Sequence, residues 1–243
     1  MLEFTSGGHR VVVFRDLTPE GQVQANQVVF VDEGEGLLAD PGGRAVFNKL
    51  IAEIAKAVPA LRVKYLFFSH QDPDILGAAA AWYSAAPQAK ILIPSVWQRF
   101  LPHAFQQAIE ENRVVPIPDE GGTVKLGSCE LKLVPAHFLH SPGNFQIYDP
   151  VLKLLYSGDL FASLLPAGLD YDFADDLDSH VKYMEGFLKR YIPTRLAIER
   201  WLEAVKGLEI EVIVPQHGAL IRGRENVARA LEWLSRAKGF FDV

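Results

Sequence analysis

Short apolar stretches, several of them alternating with polar residues, recur along this 243-residue chain and are separated by glycine, proline and acidic residues. Stretches of this kind are typical of β-strands, because successive side chains of a strand face opposite sides of a sheet. The chain is therefore predicted to form strands at 9–14, 28–32, 36–40, 63–68, 91–93, 114–118, 123–126, 130–134, 151–155 and 212–214.

Other segments carry apolar residues three or four positions apart, which is the spacing of one face of an α-helix. Helices are predicted at 45–57, 78–82, 96–109, 181–191, 196–206 and 226–237. The opening strands are joined by short turns and predict an antiparallel meander. Strand, helix and strand then alternate, which requires a crossover and predicts parallel pairing. The pattern indicates a chain of mixed α/β structure with room for one large or two small domains.

The composition narrows the classes of function. Hydrophobic residues make up 49% of the chain and charged residues 22%, which is ordinary for a globular protein with a sizeable core. The formal charge is -6 and no cluster of lysine or arginine stands out, so nucleic acid is not expected as a partner. No apolar run approaches the ~18 residues of a membrane span and no leader is recognisable, so we expect a cytoplasmic protein. Cys129 is the single cysteine, which excludes an internal disulfide and a cysteine cluster for a metal.

Polar side chains gather directly after the strand predicted at 63–68. His70, Asp72 and Asp74 occupy alternate positions there, and Pro73 stiffens the loop between the last two. A tight loop can direct all three side chains into one cavity, where a hard or borderline divalent cation accepts imidazole and carboxylate ligands. The alternative is a solvated turn, because Asp, Pro and Gly are ordinary loop residues. The rest of the chain decides between the two interpretations.

Three more segments place a histidine or an aspartate soon after an apolar run. His140 follows the strand predicted at 130–134, with His137 three positions before it. Asp159 and His217 follow the next two such runs. In open-sheet proteins, ligands bind at the carboxyl ends of strands. The repetition of this arrangement favours a shared metal site.

The order of these motifs is His-x-Asp-x-Asp, a histidine shortly before a proline, Ser-Gly-Asp and Pro-x-His-Gly. It resembles the metallo-β-lactamase superfamily and, within it, the diiron domain of flavodiiron proteins. The chain is most similar to their standalone relatives, the oxygen-binding diiron proteins of the ODP family, from the strand and turn at 37–42 to Ile221. The resemblance implies an α+β (α/β) fold, the αββα sandwich, in which two facing mixed β-sheets carry helices on both outer faces. It also implies one metallo-β-lactamase-like diiron domain over residues 1–243.

The resemblance implies a pair of metal ions bound at one edge of the sandwich. The ligands that it implies are His70, Asp72 and His140 for the first ion, Asp74 and His217 for the second, and Asp159 as a bridge between the two. A bridging carboxylate is chemically reasonable, because it offsets the repulsion between two cations ~3.5–4 Å apart. Two iron ions are the expected cofactor, with manganese or zinc as alternatives.

Two positions depart from the pattern of the related proteins. Ile75 stands where a histidine is usual, so the second ion is expected to be one protein ligand short unless His137 or water substitutes. Dioxygen or another small ligand could bind at such an open position. Asp72 stands where hydrolases commonly have histidine, and a carboxylate there favours iron or manganese over zinc. His137 either swings in as a ligand or holds its loop through a hydrogen bond. In related diiron domains a histidine near the amino terminus can approach the metals, which leaves the role of His9 open.

Three functions are consistent with this resemblance, in order of preference. The first is a nonheme diiron protein that binds dioxygen as a sensor or carrier, with weak reduction of oxygen or peroxide left open as an additional activity. The second is an oxygen or nitric oxide reductase that takes electrons from a separate donor, such as rubredoxin or a flavoprotein. The third is a metal-dependent hydrolase of esters or thioesters. Ile75 disfavours the third, because a missing ligand weakens the metal-bound hydroxide that hydrolysis uses.

The resemblance also bears on partners. Flavodiiron proteins carry a flavodoxin domain after the diiron domain, and we expect none here because the chain ends at Val243. No glycine-rich loop that would cradle a flavin phosphate is present, so no flavin is expected in this chain. A redox or signalling protein is therefore the expected partner, and no membrane is. Since related diiron domains form dimers, a homodimer is also expected.

Overall fold

The computed structural model describes residues 1–58, 61–100 and 102–242, apart from the side chains of 104–107. The strands in this part of the chain form two sheets. Sheet 1 contains β1 (Leu2–Ser6), β2 (His9–Phe14), β3 (Gln27–Asp32), β4 (Glu35–Ala39), β5 (Arg62–Phe67), β6 (Lys90–Pro94) and β7 (Val114–Ile117). Sheet 2 contains β8 (Gly122–Leu126), β9 (Cys129–Pro135), β10 (Phe145–Asp149), β11 (Leu154–Gly158), β12 (Val212–Pro215) and β13 (Ile221–Arg222).

The helices fall into two groups that follow the two sheets along the chain. The helices are α1 (Arg44–Ala57), α2 (Pro73–Leu76), α3 (Ala79–Ala85), α4 (Pro102–Glu110), α5 (Leu177–Tyr191), α6 (Arg195–Val205) and α7 (Arg224–Ser235). Within the described ranges, none of them has both the length and the apolar composition needed to cross a membrane.

Both sheets mix antiparallel and parallel pairs, as predicted. In sheet 1 the strands lie side by side in chain order, and β1 to β4 form the predicted antiparallel meander. Strands β4 to β7 then run parallel, and α1 makes the crossover from β4 to β5. In sheet 2, β8 to β11 are antiparallel neighbours and β11 pairs parallel with β12.

Three apolar layers hold the elements together. Phe30 of sheet 1 and Ile147 of sheet 2 belong to one fully buried cluster, which lies between the sheets. Leu50 of α1 belongs to a second cluster on the outer face of sheet 1. Trp201 of α6 belongs to a third on the outer face of sheet 2. Each such side chain contributes about 1.5–3 kcal/mol when it is fully buried. The arrangement is the predicted αββα sandwich.

Around position 150 one predicted strand was displaced and another strand was missed. The strand predicted at 151–155 begins later, as β11, because Asp149 Oδ1 accepts hydrogen bonds from Val151 N (2.9 Å) and Leu152 N (3.2 Å). These bonds form a turn where a strand was predicted. The preceding strand β10 was missed because the polar residues Gln146 and Asp149 interrupt it, so no continuous apolar run marks it although all five of its residues are buried.

The helix predicted at 96–109 was also wrong as a single element. A 3₁₀ helix runs over Ser95–Phe100 and α4 begins at Pro102. Proline has no N–H to donate within a helix, so it is tolerated in the first turn and interrupts a longer helix. Position 101 of the predicted helix lies outside the described residues.

The loops at the carboxyl ends of the central strands meet at one end of the sandwich. Phe145 N, at the start of β10, donates a hydrogen bond to Ser69 O after β5 (3.1 Å). Asn26 N, before β3, donates to Gln216 O after β12 (2.6 Å). These bonds join loops of the two sheets directly, so the polar segments of the sequence reach one common edge.

Candidate metal centre

The first histidine motif folds as a sharp turn that leads into α2. Ser69 N donates a hydrogen bond to Asp40 Oδ1 (2.8 Å), which fixes the chain where β5 ends. Asp72 occupies the position before the first helical residue, and Pro73 opens the helix. In the described part of the chain, the Asp72 carboxylate makes no capping bond to α2. It is therefore free to face the neighbouring histidines.

Four of the predicted ligands form one compact group. His70, Asp72, His140 and Asp159 each offer an atom within 4.8 Å of the others. His140 Nε2 lies 2.8 Å from Asp159 Oδ2 and 3.3 Å from Asp72 Oδ2. His70 Nε2 lies 3.6 Å from Asp159 Oδ2 and 3.7 Å from Asp72 Oδ2. Two imidazole nitrogens and two carboxylates thus converge on one point.

The remaining two predicted ligands lie on the other side of Asp159. His217 Nε2 is 3.5 Å from Asp159 Oδ1 and 3.3 Å from Asp74 Oδ2. The other oxygen of Asp159, Oδ2, faces His70 and His140. The two oxygens of a single carboxylate therefore face two separate groups of ligand atoms.

Two buried atoms at the centre are unsatisfied without a cation. His70 is 1% exposed and Asp159 4% exposed, yet His70 Nε2 and Asp159 Oδ1 have no hydrogen-bond partner among the described residues. Buried polar atoms are normally paired, so unpaired ones point to a missing ligand. Imidazole nitrogens with several carboxylate oxygens suit iron or manganese. The donor set and the unpaired atoms therefore fit a metal centre.

The electrostatics of the group are those of mutually paired ions. Burial alone would lower the pKa of His70, but the nearby negative charge of Asp159 outweighs burial and raises that pKa to about 10. Burial would also lower the pKa of His140, but the hydrogen bonds of Asp159 and Asp72 outweigh burial and raise that pKa to about 9. Burial would raise the pKa of Asp159, but His140 and His70 hold it far below its usual range. A bound cation would displace the imidazole protons and take over their pairing with the carboxylates.

Further side chains orient the histidines so that Nε2 faces the centre. Ser69 Oγ lies 2.8 Å from His70 Nδ1. The same hydroxyl donates a hydrogen bond to Asp40 Oδ2 (2.6 Å). Tyr156 Oη also donates to Asp40 Oδ2 (2.7 Å). His217 Nδ1 donates to a backbone carbonyl, Gln24 O (2.7 Å). Bonds of this kind at Nδ1 leave Nε2 as the ligand atom and fix the ring.

Ser69, Asp40 and Tyr156 were not predicted to contribute to the site. Asp40 follows the carboxyl end of β4 directly, at the same edge as the predicted ligands. The criterion that identified His70 and Asp159, a polar residue soon after the end of a strand, could therefore have identified Asp40 as well. Tyr156 lies inside β11 and has no comparable signal.

The structure places Ile75 and His137 away from the ligand atoms. Ile75 is fully buried and belongs to the apolar cluster on the outer face of sheet 1. His137 Nε2 donates to Asp119 O (2.8 Å), and its ring lies edge-on to Phe145 at 5.2 Å.

His9 lies at the opposite end of the sandwich. Its Nδ1 is 3.3 Å from Asp32 Oδ1 and its Nε2 is 2.6 Å from Asp149 Oδ2. Asp32 ends β3 and Asp149 ends β10, whereas the centre lies beside the start of β10. His9, Cys129 and Asp149 form a second group with metal-ligand atoms. Both nitrogens of His9 already have carboxylate partners, so His9 forms a buried ion triad with Asp32 and Asp149.

Two aromatic residues of α5 cover the first half of the centre. The ring centroids of Phe187 and Tyr191 lie 5.9 and 5.3 Å from that of His140, and the two rings stack on each other at 4.6 Å. The sequence analysis did not single them out, because a spacing of four residues on an amphipathic helix is ordinary core spacing. Asp72 and Asp74, with side chains 35% and 45% exposed, leave the other side open to solvent.

Comparisons with known proteins agree with this geometry. The chain is similar to the solved structure of the peroxy diiron species of the chemotaxis sensor ODP (37% identity, 97% of this chain and 94% of that chain, TM-score 0.85). It is similar to the apo state of chemotaxis sensor ODP from T. denticola (35% identity, 96% of each chain, TM-score 0.81).

Longer proteins match as well. An uncharacterised protein of Methanocaldococcus jannaschii is 24% identical over 89% of this chain and 54% of its own length. The rubredoxin-oxygen oxidoreductase of Megalodesulfovibrio gigas is 26% identical over 76% of this chain and 46% of its own length. The chain spans about half the length of these curated relatives. The model of the family described as "ODP family beta lactamase" matches residues 23–218, and the chain belongs to that family.

Proposed function

We propose that this protein binds dioxygen at a pair of iron ions and acts as a sensor or carrier. The observation that carries the proposal is the position of Asp159, whose Oδ2 faces His70 and His140 while its Oδ1 faces His217. The similarity to a chemotaxis sensor solved as a peroxy diiron species supports the same conclusion. The proposal extends over residues 1–243 as one diiron domain.

Each predicted ligand has a distinct task in this proposal. The ligands are His70, Asp72 and His140 for the first ion, Asp74 and His217 for the second, and Asp159 for both. A pair of ferrous ions supplies the electrons that dioxygen accepts when it binds. The carboxylates balance the positive charge of the ions, and the bonds at Nδ1 of His70 and His217 hold the imidazole rings in place.

The surroundings favour binding of a small apolar gas. Phe187 and Tyr191 shield the His140 side from water, which protects a bound oxygen species from protons. The apolar side chain of Ile75 donates no lone pair, so the second ion retains room for a small ligand. We propose iron as the native metal, with manganese as the nearest alternative, because the carboxylate of Asp72 adds a hard donor.

The test is an anaerobic titration with Fe(II), followed by exposure to air. We expect two iron ions per chain and a new optical absorption band that appears with dioxygen and disappears when dioxygen is removed. Asp159→Asn, which keeps the shape of the side chain and removes its charge, should not give this band. A protein that purifies with zinc and shows no band with iron and dioxygen would contradict the proposal.

A second candidate function is reduction of dioxygen or nitric oxide with electrons from a separate donor protein. The observation that favours it is Tyr191, which is 46% exposed and stacks on Phe187 beside His140. This aromatic pair links the surface to a predicted iron ligand. Steady NADH-linked turnover with a reconstituted rubredoxin and its reductase would support this function. A single binding event without turnover would favour the sensor or carrier.

The remaining expectations concern partners and location. We propose that a redox or signalling protein contacts the chain, that the chain forms a homodimer, and that it works in the cytoplasm. The family resemblance supports all three. Light scattering at micromolar concentration tests the dimer, which should give twice the 27.0 kDa mass of one chain.

A further inference from the structure

The second ion is short of ligands in the proposed centre. Asp74 and His217 belong to it alone and Asp159 is shared, while Ile75 packs in the apolar core. His137 points elsewhere, because its Nε2 donates to the carbonyl of Asp119 at 2.8 Å. Another polar side chain beside Asp74 would therefore have a clear task.

Gln216 is such a side chain. It directly precedes His217 and is 1% exposed. Its backbone is held on both sides, since its N–H donates to Gly158 O (2.8 Å) and its carbonyl accepts from Asn26 N (2.6 Å). Its side-chain amide reaches the carboxylate of Asp74, with Nε2 lying 3.0 Å from Oδ2. The amide is therefore fixed beside a predicted ligand of the second ion.

The amide of Gln216 is only half satisfied. Its Oε1 is buried and has no hydrogen-bond partner in the described ranges of the chain. Gln146 offers a contrast in the same fold, because its Nε2 donates to Ser157 O (2.9 Å) and its Oε1 accepts from Trp201 Nε1 (2.8 Å). Because no donor holds Oε1, the amide can turn over without losing a hydrogen bond at that end.

We propose that Gln216 is an additional ligand of the second ion and supplies its amide oxygen where related sites use the residue at position 75. The proposal rests on the proposed diiron function. In the absence of an ion, the amide turns its N–H toward the Asp74 carboxylate. Rotation about the last side-chain bond exchanges the nitrogen and the oxygen, which are nearly equal in size. The amide oxygen then lies about 3.0 Å from Asp74 Oδ2, which is the spacing of neighbouring ligands around an ion at ~2.1 Å.

A neutral amide oxygen is a suitable ligand here. It is a hard donor, like the carboxylates, and adds no charge to a centre that already holds three aspartates. Because it binds more weakly than an imidazole, the second ion would be held while remaining accessible to a small ligand. Gln216 would thus determine how tightly the second ion is bound and how accessible that ion is to a small ligand.

The test compares two variants with the wild-type protein in anaerobic equilibrium dialysis against Fe(II). Gln216→Met keeps the length of the side chain and removes both polar atoms. We expect the Kd of the second ion to rise about tenfold or more while the Kd of the first is unchanged. Gln216→Glu keeps an oxygen ligand and adds charge, so its second Kd should equal or fall below the wild-type value.

The control is Gln146→Met, which removes a buried glutamine that is satisfied by other groups and should leave the second Kd unchanged. An unchanged second Kd in Gln216→Met would overturn the proposal. A second Kd above the wild-type value in Gln216→Glu would also overturn it, because only the hydrogen bond to Asp74 would then matter. If thermal melting shows that Gln216→Met does not fold, the second Kd of Gln216→Glu tests the proposal by itself. A wild-type protein that binds fewer than two iron ions would contradict the proposed function itself.

Discussion

Replacing His9 with alanine is expected to destabilise the protein without affecting the metals. The imidazole lies between Asp32 at the end of β3 and Asp149 at the end of β10, so it joins sheet 1 to sheet 2. Burial would lower the pKa of His9, but the hydrogen bond and charge of Asp149, with those of Asp32, outweigh burial and raise it. Folding therefore favours the charged form of the ring, which offsets two buried negative charges.

The expected cost follows from what remains after the substitution. The side chain of Asp149 is 0% exposed and that of Asp32 is 6% exposed, so both carboxylates would stay in the interior without the imidazolium. Removing one partner from a buried ion pair typically costs about 3–5 kcal/mol. This is a large fraction of the ~5–15 kcal/mol that stabilises an ordinary domain. His9→Ala should therefore lower the free energy of unfolding by about 3–5 kcal/mol below pH 6.5, where the imidazole is charged in both the folded and the unfolded chain.

The assay is urea denaturation of the metal-free protein, with the slope of free energy against urea as a check that unfolding remains comparable. Because the pKa of His9 is raised on folding, its contribution is fully present below the unfolded value of 6.5. It is lost as the pH rises through the folded pKa, so the gap between His9→Ala and wild type should narrow at alkaline pH. His103→Ala removes an exposed histidine of α4 and should change stability by less than ~0.5 kcal/mol.

Two results would refute this reasoning. A loss of less than about 1 kcal/mol in His9→Ala would mean that the triad is not a buried charge network. A loss of bound iron in a folded His9→Ala protein would mean that His9 serves the metal centre after all. The account predicts two iron ions per chain in this variant.

Three further changes test other parts of the molecule. Asp159→Ala should abolish paired metal binding, which elemental analysis would measure, and two ions per chain in that variant would refute the bridge. Because Ile75 is fully buried in the apolar cluster on the outer face of sheet 1, Ile75→His should destabilise the metal-free protein by about 2 kcal/mol or more in urea denaturation and leave the stopped-flow reaction with dioxygen unchanged; a slower reaction would mean that position 75 borders the oxygen site. Burial lowers the pKa of His180 to about 4, so wild-type stability should fall as the pH drops from 6.5 toward 4, by about 2 kcal/mol from this residue. His180→Asn, which keeps an acceptor for Tyr171 Oη, should flatten that dependence, and an equally steep fall would contradict it.

The grouping of the predicted ligands at one edge was accessible from the sequence because they follow strands. His70, Asp159 and His217 come within three residues of the ends of β5, β11 and β12, whose carboxyl ends lie at one edge. Strands with short apolar runs are easy to recognise, and their ends locate the loops. The family resemblance then assigned each ligand to an ion, which strand positions alone could not do.

Other contributors were missed for physical reasons. Phe187 and Tyr191 come from α5, and nothing in an amphipathic helix tells which of its apolar residues faces a site instead of the core. Gln216 was overlooked because a neutral amide next to a histidine has no motif of its own. The role of His9 depended on which end of β2 faces the metals, and only the packing of the two sheets settles that.

A crystal structure of the protein loaded anaerobically with Fe(II), with anomalous data at the iron edge, would locate the ions. We expect two iron peaks on either side of the Asp159 carboxylate, one beside His70 and His140 and the other beside Asp74 and His217. A single peak, or a peak at the group of His9, Cys129 and Asp149, would contradict this expectation.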